Sequence, residues 1–311
     1  MIIKHQEKIA SPEIIQSRYE ALGYICSNSV ATAIYLACHL QKPILIEGPP
    51  GVGKTELAKV TASYLNAPLI RMQCYEGLDE SKALYEWKYG KQLLYTQVLK
   101  EQLGDVLRGA RGLDESIARL HDFGDIFYSQ EFLEPRPLLQ ALQSQEGAVL
   151  LIDEIDKADQ EFEAFLLELL SDYQVSIPEI GTVKAVSTPI VMLTSNNTRE
   201  LGDALKRRCL HLYIPFPDAA LESRILATQV EGLDEQLREQ IVALIGKLRD
   251  MPLKKSPAVS ETIDWARALL LLNVEELDSR WVKETLNLLL KFQDDIELVE
   301  PEIAVLLKGL G

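Results

Sequence analysis

The sequence predicts an α/β protein: a parallel sheet with helices on both faces, followed by a small all-helical unit. Three observations predict it. An apolar run, a glycine-rich turn and a helical pattern follow one another over 43–66. Short apolar runs then alternate with amphipathic segments as far as Ile214, the pattern of a covered parallel sheet. Beyond Pro215-Phe216-Pro217-Asp218 every patterned segment is helical.

The elements follow in order. Residues 11–40 read as two helices, the second being Ser29 to Leu40. Pro43-Ile44-Leu45-Ile46-Glu47 is the first strand. Thr55 to Asn66 is a helix with Leu57, Val60, Tyr64 and Leu65 at helical spacing, ended by Asn66-Ala67-Pro68. Leu69 to Cys74 is the second strand, and Val149 to Asp153 is a buried one. Asp159 opens a helix with Phe162, Phe165, Leu166, Leu169 and Leu170 on one face. Val175 to Lys184 reads as a hairpin around Pro178-Glu179-Ile180-Gly181. Thr188 to Thr194 and Cys209 to Ile214 are the last strands. Helices are expected over 218–230, 234–250, 258–272, 279–293 and 301–308. This places a boundary between an α/β domain, 1–217, and an all-α domain, 218–311.

The crossover from Cys74 to Ala148 far exceeds the roughly 10–12 residues a minimal one needs. It therefore carries an insertion within about 75–147. The insertion is rich in aromatics, from Tyr75, Tyr85, Trp87, Tyr89 and Tyr95 to Phe123, Phe127, Tyr128 and Phe132. They either pack on the main domain or form a projecting element that grips a substrate.

Composition narrows the function. The 311 residues carry 32 Lys+Arg against 47 Asp+Glu, a formal net charge of -15, which repels a nucleic-acid backbone on average. Cys26, Cys38, Cys74 and Cys209 show no C-x-x-C or zinc spacing and read as free thiols of a reducing compartment. Met1 to Glu7 lacks a signal-peptide apolar region, and no apolar run approaches the roughly 18 residues of a membrane helix. A cytoplasmic protein is expected.

Gly48-Pro49-Pro50-Gly51-Val52-Gly53-Lys54-Thr55 fills every fixed position of the phosphate-binding P-loop, and strand and helix flank it as required. Its backbone amides and the following helix N-terminus suit a phosphate chain. Lys54 can reach the β/γ oxygens and Thr55 can offer its hydroxyl to Mg²⁺. Asp153-Glu154 ends an apolar strand as a Walker B pair does. Asp153 can hold the metal, and Glu154 can orient and deprotonate an attacking water. Asp156-Lys157-Ala158-Asp159 mimics a guanine-specificity loop. It follows directly on Glu154 and has Asp where that loop has Asn, so it reads as a charged loop leading into a helix. Asn196, in Thr194-Ser195-Asn196-Asn197, can bond the water or γ-phosphate, though a simple Asn turn would look the same. Arg207 and Arg208, before the last strand, are either a solvated basic face or a phosphate-stabilising finger.

Taken together, these residues resemble an AAA+ ATPase over residues 20–311. The long crossover, Leu150 to Ala158 and Leu193 to Leu201 resemble the MoxR family of the helix-2-insert branch. Gln73 to Glu80 and Glu261 to Ala266 are similar to its subgroup found beside carbon monoxide dehydrogenase and related molybdenum hydroxylases. The resemblance implies ATP hydrolysis with Mg²⁺, Asn196 as sensor 1, and Arg208, with Arg207 as neighbouring candidate, as a finger acting on the next subunit of a hexameric ring. It implies a chaperone that remodels a protein client, a molybdenum hydroxylase or other metalloenzyme, with a von Willebrand A-domain protein as partner. One departure stands out: the family's Ser-Pro-Arg, which carries the sensor 2 Arg, reads Ser256-Pro257-Ala258 here. Lys254, Lys255 or Arg267 would have to replace it, or it is absent. Two other classes compete: a nucleic-acid motor or clamp-loader-like subunit, which the acidity disfavours, and a nucleotide-gated scaffold without turnover, which Glu154, Asn196 and Arg208 disfavour.

Overall fold

The computed structural model describes residues 9–106, 129–178 and 180–309. Five strands form one parallel sheet in the order β2-β5-β8-β1-β9. They are β1 (Ile44–Glu47), β2 (Leu69–Gln73), β5 (Val149–Asp153), β8 (Ile190–Ser195) and β9 (Leu210–Tyr213). β3 (Tyr85–Trp87) and β4 (Leu133–Pro135) pair within the long crossover, and β6 (Gln174–Ile177) and β7 (Gly181–Lys184) form the expected hairpin.

The period-two alternation of a strand sorts side chains between two cores. Leu150 and Ile152 of β5 join Leu45, Val191 and Leu193 under the Gln160–Asp172 helix, whereas Val149 and Leu151 join Ile44, Ile46 and Met192 under the Asn28–Leu40 and Lys54–Leu65 helices. Burial on both faces explains why the strands read as continuous apolar runs.

Register sets the site. Glu47 lies beside Ser195, and Gln73 beside Asp153, so the carboxyl ends of four strands finish at one edge. Helix ends are fixed locally. Ser11, Ser27, Asp159, Asp218, Asp234 and Asp278 each accept an amide of the helix they precede. Asn66, in the left-handed region at φ 54°, closes the Lys54–Leu65 helix.

The helices after Asp218 share a third core around Trp265, whose Nε1–H donates to Thr285 Oγ1 at 2.7 Å. Here the structure corrects the sequence expectation. The helix expected over 279–293 ends at Leu289, where Leu290 turns extended (φ -105°, ψ 132°), and a separate helix runs Gln293–Val299. Pro301 then tightens Glu300–Glu302 into a 3-10 turn before Ile303–Leu306. The second strand stops at Gln73, the fourth of the sheet by sequence starts at Ile190, and the last at Leu210.

The insertion carries a helix, Tyr89–Val106, beside the β3–β4 pair. Tyr85 and Trp87 meet edge to face, and Tyr95 meets the buried Phe132 in the same way. Tyr89 is left exposed with Leu93, Leu94 and Val98. Phe123, Phe127 and Tyr128 lie outside the described residues. Among the described residues no helix is long and apolar enough to cross a membrane.

Candidate functional site: a P-loop joined to two strand ends

The glycine turn between β1 and the Lys54–Leu65 helix is dictated by crowding. A Cβ on Gly48 would stand 2.1 Å from the Ile214 carbonyl oxygen, so only glycine fits. The turn delivers Lys54 into the sheet edge, where its ammonium donates to Gly48 O (2.6 Å), Pro49 O (2.8 Å) and Asn196 Oδ1 (2.8 Å). Burial pulls the Lys54 pKa below its ordinary value, against the opposing charges of Asp156, Asp153 and Glu154.

Thr55 Oγ1 donates toward both oxygens of Asp153, at 3.2 and 3.3 Å. This hydroxyl and carboxylate form an all-oxygen donor set of the kind that suits Mg²⁺, a cation usually held by one or two carboxylates with substrate phosphates completing the shell. Among the described residues no cluster of three or more His, Cys, Asp or Glu could hold a metal by itself.

Glu154 adopts the left-handed region (φ 57°, ψ 51°), an unusual place for a non-glycine residue. Two anchors hold it. Its N–H donates to Thr194 Oγ1 at 2.9 Å, and its carbonyl accepts from Lys157 N at 2.9 Å. Its carboxylate is engaged on both oxygens. Oε1 accepts from Asn196 Nδ2 at 3.2 Å, while Oε2 accepts from Gln73 Nε2 at 2.7 Å and faces Lys157 Nζ at 2.6 Å. Lys54, Asn196 and Glu154 thus form one bonded group and Thr55 and Asp153 another, and the Thr194 hydroxyl joins the two.

Arg207 and Arg208 stand apart from both groups. Arg207 is exposed, and Arg208 donates to Ser171 Oγ (2.5 Å) and Ala204 O (3.0 Å) on the flank of the Gln160–Asp172 helix.

Four further side chains belong to the cluster although no motif singles them out. Arg71 donates to Asp153 Oδ2 through Nη2 (2.6 Å) and Nε (3.1 Å), and Gln73 reaches Glu154. Both are polar residues of the edge strand β2, and their alternation is the signal that could have found them. Thr194 donates to Asp153 Oδ1 at 2.5 Å. Asp156, expected in a charged loop, is instead 4% exposed. It accepts from the Thr198 amide (2.9 Å) and hydroxyl (2.6 Å), tying the loop of Asn196 to that of Glu154. Burial alone would raise its pKa; the bonds from Thr198 and from the Asn196 amide hold it below its ordinary value. Cys74 reports the resulting negative field: burial first, then Asp153, Asp156 and Glu154, push its thiol up to about 12.

A phosphate loop, an acidic pair at the next strand end and a polar strand end beside both define a nucleotide-binding AAA protein. Residues 43–209 match the AAA domain of the dynein-related subfamily, and the chain belongs to that family. It is similar to "Uncharacterized protein YojN" of Bacillus subtilis (strain 168), 26% identical over 255 residues, covering 79% of this chain and 72% of that one. It is also similar to "Uncharacterized protein SAB1265c" of Staphylococcus aureus (strain bovine RF122 / ET3-1), 29% identical over 238 residues, 74% and 76% of the two chains.

Proposed function

We propose that this protein is a Mg²⁺-dependent ATPase of MoxR type that converts hydrolysis into remodelling of a protein client. The observation that carries the reading is the bonded network in which Lys54, Asn196 and Glu154 meet Thr55 and Asp153 through Thr194. In it, the backbone of Gly48 to Thr55 cradles the phosphates and Lys54 neutralises the β/γ oxygens. Thr55 and Asp153 hold Mg²⁺, which when bound offsets charge on the transferring phosphoryl group. Asn196 releases Lys54 and keeps Glu154 in place. Glu154, once free of Gln73 or Lys157, orients a water and takes its proton.

Arg208, with Arg207 beside it, serves the neighbouring subunit of a ring, a hexamer; its bonds to Ser171 and Ala204, and among the described residues to none of its own cluster, support this. The α/β domain spans 1–217 and the helical lid 218–311. The exposed apolar residues of the Tyr89–Val106 helix support client contact in the insertion. The phrases shared with the carbon monoxide dehydrogenase subgroup point to a metalloenzyme client, a molybdenum hydroxylase among them, and to a von Willebrand A-domain partner.

The test is Glu154→Gln. Its ATP affinity should stay near wild type while turnover falls by about 10²–10⁴-fold, the usual share of a general base. Turnover at the wild-type rate in that variant would remove Glu154 from the mechanism and, with it, this reading.

A further inference from the structure

Among the described residues no charged lid side chain bonds to the phosphate loop. Ser256-Pro257-Ala258 puts a methyl group where the family resemblance expects a guanidinium. The nearby cations are engaged elsewhere. Lys254 pairs with Asp294, Lys255 with Glu261 at 2.8 Å, and Arg267 with Asp264 at 3.6 Å and Gln229 O at 3.2 Å.

The N-terminus of the Val259–Leu271 helix touches the loop instead. Gly51 has φ +73°, and a Cβ on it would stand 2.5 Å from Ala258 Cβ and 2.7 Å from Ser260 Oγ. Ser260 N donates to Gly51 O at 3.3 Å. This bond has a physical reason. The first amides of a helix lack intrahelical acceptors, and the N-cap side chain usually supplies one. Ala258 is the N-cap here and has no oxygen to offer. The phosphate loop supplies it: a carbonyl of the loop caps a helix of the lid.

That turn is held in place from behind. Arg249 donates in a fork to Glu222 Oε2 (2.6 Å) and Oε1 (2.8 Å), and its Nε donates to Pro257 O at 3.0 Å, one residue before Ala258. Its guanidinium stacks 4.6 Å from the centre of the Phe216 ring, in the segment that joins the sheet to the helices. Glu222 is 1% exposed and also accepts from Thr262 Oγ1 at 3.1 Å. One guanidinium thus links two lid helices, the joining segment and the turn that meets Gly51.

We propose that Arg249 and Glu222 are positioning residues that set the Ala258–Ser260 turn against Gly51, and that this contact couples the lid to the nucleotide in place of an arginine on the turn. The proposal rests on the nucleotide-binding role argued above. A planar fork that also stacks is a task lysine cannot perform. Breaking a buried pair on one side risks unfolding, whereas replacing both partners by apolar residues of similar volume is usually tolerated.

The experiment uses the full chain and the double variant Arg249→Met with Glu222→Met, with thermal denaturation as the folding control. Hydrogen exchange of the 258–262 amides is read without nucleotide and with ATP-Mg²⁺, alongside KM and kcat. In the double variant, exchange at Ser260 should speed up by about tenfold, a hydrogen bond's worth, and its further slowing by ATP should vanish. KM for ATP should rise with a smaller change in kcat. Arg249→Lys should fail to restore either. A folded double variant with wild-type exchange and KM overturns the proposal, as does full rescue by lysine. The nucleotide-free exchange separates the two readings: faster exchange there supports the positioning role, while absent ATP cleavage by the wild-type chain overturns only the function proposed above.

Discussion

Thr194→Val removes one hydroxyl and nothing else of consequence in shape, and the structure says what that hydroxyl holds. Thr194 is 1% exposed. Its Oγ1 donates to Asp153 Oδ1 at 2.5 Å and accepts the Glu154 N–H at 2.9 Å. The valine variant leaves that half-buried N–H without its acceptor, at about 1–3 kcal/mol. Asp153 loses a charge-assisted bond worth about 1.5–3 kcal/mol but keeps Arg71 and Thr55, so the lower end applies. The net loss is about 2.5–4.5 kcal/mol, which for a chain of this size lowers Tm by roughly 5–18 °C. Activity should suffer more than ATP affinity. The N–H anchor is one of two that hold Glu154 in the left-handed region, and a displacement near 1 Å can cost about 10²-fold in rate. Lys54 and the loop glycines keep their places, so the ATP dissociation constant should change by less than about threefold, within 1 kcal/mol. The assays are thermal denaturation by circular dichroism and steady-state phosphate release. A Tm within about 2 °C of wild type, under 1 kcal/mol on that scale, together with unchanged kcat would show that the hydroxyl holds neither group.

Two other outcomes test the site. Lys54→Ala should abolish ATP binding in equilibrium titration, because no other cation sits on Gly48 O and Pro49 O in the described residues; undiminished affinity would refute the loop assignment. Arg208→Ala mixed with wild-type subunits should depress turnover well below the wild-type share, whereas activity in simple proportion to that share would show that Arg208 does not act across an interface.

The parts legible in the sequence are those in which local chemistry and global position agree. Val149 to Asp153 announces itself because burial on both faces demands an unbroken apolar run. The phosphate loop announces itself because Gly48 cannot carry a Cβ. Asp159 and Asn66 mark helix ends through their own side chain or backbone. What stayed hidden depends on partners far along the chain. Arg71 and Gln73 look like solvated edge-strand residues until register puts them beside Asp153 and Glu154. Asp156 looks like surface charge until Thr198, 42 residues on, closes over it. The break after Leu289 carries no glycine or proline, so nothing local marks it.

The segments after β5 and β8 are bonded in step, and this bears on how the site and Arg208 are related. Asp153 meets Thr194, Glu154 meets Asn196, and Asp156 meets Thr198. Arg199 then reaches Ala158 O and forms an ion pair with Glu163 Oε1, both at 2.5 Å. The other Glu163 oxygen accepts from Gly202 N at 2.9 Å, and Ser171 meets Arg208 at 2.5 Å. The ladder is stiff where it is dry. Asp156 and Glu163 are buried carboxylates, and separating either from its partners would leave an uncompensated charge at a cost of several kcal/mol. It is softer at the Glu154 rung and at the Arg208 end, where the side chains are partly exposed. A shift of the Glu154 carboxylate as a nucleotide is bound or cleaved would therefore travel with the middle rungs intact sooner than break them. On the proposed reading, that places the Glu163–Arg199 pair between one subunit's hydrolytic carboxylate and the arginine it lends to its neighbour.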